Sequence, residues 1–170
     1  VGGFKSLLEL RGNIREELTK AKEQEARFKM EEELINQVIK STNFEAPSMM
    51  VDSEVEHLLR DAQDRLGHMG YKKEDIDKEE AAMKEKFRDE AVKRVKTYFI
   101  LDKIAEQENL TATEEDINKR VELLAARAKK TSEEARKYLE DNNLMEDVKA
   151  EISQDKAMEF LIDNAKIEEV

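Results

Sequence analysis

The chain has no cysteine and no tryptophan, one proline and only five glycines in 170 residues. Without cysteine there is no disulfide, no thiol nucleophile and no thiolate metal site. Scarce glycine and proline, set against abundant Glu, Lys, Ala and Leu, favour helix and argue against sheets or disorder. Long apolar runs are missing too: none approaches the ~20 residues that span a bilayer. The opening "VGGFKSLLELRGN" has no signal-peptide pattern and no initiator methionine, which reads as a fragment of a longer chain. Nor is there an excess of positive charge. A net charge of −11 argues against sequence-independent binding to nucleic acid, which needs clustered Lys and Arg. The densest basic run, "KRVK" at 93–96, sits among acidic residues and reads as a solvated helix face.

What is present is charge. Asp, Glu, Lys and Arg make up 42% of the chain and hydrophobic residues 39%, lean for a compact globule. An elongated all-α protein with a thin core fits this balance, and the length suits one helical domain over residues 1–170. Apolar spacing predicts helices almost throughout. Ser6 caps a first helix that runs to about residue 40, with Leu7, Ile14, Leu18, Phe28, Ile35 and Val38 along one side. Its middle, "TKAKEQEARFKMEEE", is poor in large apolar residues and reads as a projecting arm.

Pro47 suits the first turn of a second helix, whose stripe is Val51, Val55, Leu58, Ala62 and Leu66. "GHMGYKK" is a turn, and a third helix is expected over roughly 79–109. Within it, "YFIL" at 98–101 is apolar all round and is placed at the centre of the packing. Thr111 or Thr113 caps a fourth helix with the stripe Ile117, Val121, Leu124, Ala125 and Ala128. Thr131 and Glu134 have capping-box spacing before a fifth, and a sixth is expected near 143–164.

Motifs that carry chemistry are sparse. Glu54 and His57 form one Glu-x-x-His unit, but a di-iron bundle needs a second copy and two more glutamates. "DIDKEE" at 75–80 imitates the start of a calcium loop, with Glu80 where the loop requires glycine. No Gly-rich phosphate loop and no Ser/His/Asp grouping is evident. The expectation is therefore no catalytic residue, no metal and no cofactor. Seven methionines remain, and methionine suits surfaces that accept varied partners. Met30, Met83 and Met158 read as core fillers. Met49 and Met50 point away from the Val51 stripe on either side and read as exposed.

"NFEAPSMMVDSEVEHLL", "LTATEEDINKRVELLAARA" and the closing "FLIDNAKIEE" together resemble the C-terminal chaperone domain of bacterial trigger factor. "FKSLLELRGNIREEL" resembles the start of that domain's segment after the isomerase domain. The resemblance implies a helical body of packed hairpins with protruding arms around a cradle. It implies ATP-independent holding of nascent or non-native polypeptides in the cytoplasm, with no membrane partner. Ribosome docking and prolyl isomerase activity would belong to segments of the parent protein that are not found here, and self-association stays open. Met49, Met50, Phe44, Met69, Tyr71 and Met145 are the candidate client contacts, with Phe44 equally suited to staple the hairpin shut. The rival reading is a helical adaptor for one folded partner, which should gather aromatics and Arg into one hot spot. Instead, six Phe and three Tyr are spread from Phe4 to Phe160. A related periplasmic chaperone of similar fold would require a signal peptide.

Overall fold

The computed structural model describes residues 6–166. Six helices run through them: α1 Leu7–Ser41, α2 Ser48–His68, α3 Lys73–Gln107, α4 Glu114–Ala128, α5 Ser132–Asp141 and α6 Met145–Asn164. No strand occurs among the described residues. Phe4, Lys5 and the closing 167–169 of the quoted runs lie outside them.

Local chemistry sets the boundaries. The Ser6 hydroxyl accepts from the Glu9 amide at 3.1 Å and so caps α1. Pro47 stands at the N-cap of α2, where its missing N–H costs nothing, and its carbonyl accepts from Met50 and Val51. Thr113, not Thr111, caps α4, and both Thr113/Asp116 and Thr131/Glu134 close reciprocal capping boxes. The largest departure from expectation is α3, which begins at Lys73 rather than near 79. Glu74 and Asp75 favour a helix start there, and Ile76 is buried. The calcium-loop imitation is thus helical throughout.

Packing is divided among three clusters. Val51, Val55 and Leu58 of α2 meet Ala91 and Val95 of α3. Lower on α3, Ile100, Leu101 and Ala105 join Ile35 of α1 and Ala157 of α6. Ile117, Val121 and Ala125 of α4 join Ala135 and Leu139 of α5 with Val148 and Ile152 of α6. So α3 threads the first two clusters and α6 the last two. The α2–α3 hairpin is antiparallel, with Arg88 bonded to Asp52 at 3.2 Å and Lys84 to Glu56 at 2.8 Å. Each core is thin, as the composition requires.

Two expectations need correction. The expected stripe of α1 does not make a continuous buried face: Leu7, Ile14, Leu18 and Phe28 are exposed, and burial in this helix is confined to Ile35. The first half of α1 does project, as its polar middle implied. In "YFIL", Ile100 and Leu101 are buried and Phe99 is half-buried, but Tyr98 is exposed. A helix segment that is apolar all round still has one side that meets no neighbour, and Tyr98 occupies it.

Candidate functional site

Turning about α3 places Tyr98 on the wall of an open cleft between the α2–α3 hairpin and α6. Its volume is about 750 Å³, and Met50, Glu54, Arg94, Tyr98, Asp147 and Glu151 are among its lining residues. Arg94 spans the hairpin, donating to Glu90 at 3.0 Å and to Glu54 at 3.1 Å. Partial burial works against its charge, but these two carboxylates outweigh it and hold the guanidinium pKa above its ordinary value. His57 Nδ1 stands 3.6 Å from the same Glu54 carboxylate. Glu54 is therefore committed to Arg94 and His57. Among the described residues no three His, Cys, Asp or Glu gather as a metal site. Met50 and Tyr98 share this lining with carboxylates, with Lys93 and Arg94, and with the small apolar Val95 and Ala150.

The sequence candidates divide by exposure. Met49 is 82% exposed and Met50 39%, at the first turn of α2. Met69 at 73% and Tyr71 at 56% stand at the hairpin turn, where Gly70 takes φ 88°. That left-handed φ is the reason for a glycine there. Phe44 is half-buried. It packs on the central cluster and edge-to-face on Phe99 at 6.3 Å, with the Lys96 ammonium 5.4 Å from its ring centre. In doing so it staples the α1–α2 connection to α3. It also walls a second, almost wholly apolar cavity of about 520 Å³ with Val38, Pro47, Phe99 and Ile104. Met145 is half-buried against the α4–α5–α6 cluster. Met49, Met50, Met69 and Tyr71 thus offer apolar surface directly, while Phe44 and Met145 are tied to packing.

Sequence reasoning missed Tyr98, Leu123 and Tyr138, all exposed. Leu123 and Tyr138 fall outside the buried stripes of their helices, so periodicity could have found them. Tyr98 lies near its helix's stripe and could not have been found that way.

Fold and cleft together define an all-α protein whose distinctive surface is scattered apolar side chains on a charged scaffold. Comparison with known proteins narrows the class. Residues 6–163 match the family model described as bacterial trigger factor protein C-terminus, and the chain belongs to that family. It is 32% identical over 174 residues to trigger factor of Carboxydothermus hydrogenoformans, covering 98% of this chain and 39% of that protein. With trigger factor of Acetivibrio thermocellus the identity is 30% over 174 residues, covering 98% and 40%. The chain thus spans about two fifths of the length of these relatives. A solved structure of trigger factor domains from Thermotoga maritima is 18% identical, covers 81% of this chain and 84% of that one, and overlays with a TM-score of 0.49.

Proposed function

We propose that this chain is an ATP-independent chaperone module that holds nascent or non-native polypeptides. The observation that carries the reading is the pair of exposed apolar side chains, Met50 and Tyr98, in a cleft they share with charged and polar residues, with exposed Met49 beside Met50 in sequence. Methionine and tyrosine accept varied apolar partners without demanding a sequence, and the charged surround keeps such a surface soluble. Membership of the trigger factor C-terminal family supports the same reading. Residues 1–170 act as one helical domain of a longer cytoplasmic protein. Ribosome attachment and prolyl isomerisation belong to that protein's other parts, and this segment carries no catalysis of its own.

The test is light scattering from a denatured, aggregating enzyme diluted into buffer with and without the chain. Suppression of scattering without nucleotide is expected, together with no acceleration of isomerisation in a proline peptide. A strict requirement for ATP, or no suppression at a several-fold molar excess, would refute the proposal.

A further inference from the structure

Four helix ends in this protein close by the same backbone arrangement, and one of them breaks a chemical rule. In each, an amide two or three residues past the helix bonds back to a carbonyl five positions earlier: Tyr71 to Leu66, Leu110 to Ala105, Lys130 to Ala125 and Leu144 to Leu139, at 2.8–3.1 Å. The residue before each donor is left-handed, with φ 88° at Gly70 and 54–57° at Asn109, Lys129 and Asn143. This stop favours Gly or Asn at the left-handed position and an apolar residue after it. Gly70–Tyr71, Asn109–Leu110 and Asn143–Leu144 obey. Lys129–Lys130 does not.

A lysine held left-handed is conformationally costly, and such cost points to a use for its side chain. Its surroundings say what use. From Arg127 to Lys137 the sequence carries five cations, Arg127, Lys129, Lys130, Arg136 and Lys137, against two carboxylates, Glu133 and Glu134. The difference is +3 in a chain of net charge −11. Arg136 is taken up by Glu114, Glu140 and Asn118, and Glu134 by its capping box. Arg127, Lys129 and Lys137 are exposed and make no ion pair or side-chain hydrogen bond among the described residues. The Lys130 ammonium lies 5.8 Å from the ring centre of Tyr138, itself exposed. The α4–α5 turn is thus a basic tip with an aromatic ring at its base.

We propose that this tip binds acidic segments of unfolded polypeptide, with the cations engaging carboxylates and Tyr138 an adjoining apolar residue. The proposal rests on the chaperone reading and adds a second recognition mode to it, since the cleft between α2–α3 and α6 bears more carboxylates than cations. Charge complementarity selects the occupant. An acidic chain would be repelled by most of this surface and has its favourable landing place here. The patch is short, and a nucleic acid binds through many phosphates at once, more than this handful of cations can neutralise.

The experiment is fluorescence anisotropy of a labelled unstructured peptide rich in Glu and Phe, of the same peptide with Gln for Glu, and of poly(U). The wild-type chain should favour the Glu peptide, with affinity falling as salt rises. Lys129→Gly/Lys130→Leu restores an ordinary helix stop, so it should unfold at a higher temperature yet bind the Glu peptide about five- to tenfold more weakly. Lys129→Gln/Lys137→Gln, which leaves the turn's apolar chemistry alone, should show the same loss. Suppression of aggregation of an uncharged client should be unchanged in both variants, which separates failure here from failure of the chaperone reading. Equal affinity for Glu and Gln peptides, undiminished binding by the variants, or preference for poly(U) would each overturn the assignment.

Discussion

Met49 and Met50 are adjacent in sequence but do not share one environment. A residue as open as Met49 has nothing to lose on truncation, so Met49→Ser should change stability by less than ~0.5 kcal/mol. Met50 is partly covered, and Met50→Ser should cost about 1 kcal/mol, well short of the ~2–5 kcal/mol of a fully buried methionine. The double variant should therefore stay folded in a thermal melt while its holding of client weakens modestly, because many weak patches share the binding. A large drop in melting temperature would show the pair to be core. Equal holding would move client binding to other surfaces. That these methionines leave the Val51 stripe was legible from a turn angle of ~100° per residue. Tyr98 was not legible in that way. Periodicity reports which residues share a side, and only the neighbouring helices decide how much of that side is covered.

At the scale of the element, caps decide where α4 and α5 begin, and they make the starts sensitive to acid. The Lys156 ammonium, at 2.6 Å, and then the Thr113 hydroxyl and amide hold the Asp116 carboxyl far below the usual carboxylate range. Glu134 is lowered chiefly by the Thr131 amide. For a carboxyl depressed in the folded state, the stabilisation is present above the unfolded pKa of about 4 and is lost as pH falls below it. Melting temperature should fall on acidification through that window, and Asp116→Asn/Glu134→Gln should flatten the dependence; an unaltered slope would remove these carboxylates from the account. Independently, Thr113→Ala should cost about 1 kcal/mol, read as a lowered denaturant midpoint. These caps were legible because their partners lie three residues apart. The start of α3 was not, since Ile76 stands alone among charged residues between the turn at 67–73 and the expected helix. Nor was the cleft, whose walls come from α2, α3 and α6, with almost a hundred residues between Glu54 and Glu151.

For the whole molecule, the telling fact is that three small cores share helices but no buried side chain. Two-state unfolding depends on a continuous core, and here the links between clusters are α3 and α6 themselves. Ile35→Ala should cost ~2–5 kcal/mol in the central cluster. Hydrogen exchange should then quicken where α1, α3 and α6 meet, while amides packed about Val55 and Val121 keep most of their protection. A uniform loss across all three clusters would show a single cooperative unit. The charged, aromatic-poor composition already pointed to thin packing. The division into three followed only from the path of the chain.

Because α3 is one unbroken helix, the hairpin it carries is a boom pivoted where Ile100 meets the central cluster. The 28 residues from Lys73 to Ile100 span ~40 Å at a rise of 1.5 Å per residue. Tilting such a rod by about 5° swings Met69 and Tyr71 through ~3 Å, roughly the rise of one residue of extended chain. Small rearrangements around Ile100 and Ala157 are therefore magnified at the outer end, where Met69 and Tyr71 stand, and barely felt at the cleft beside the pivot.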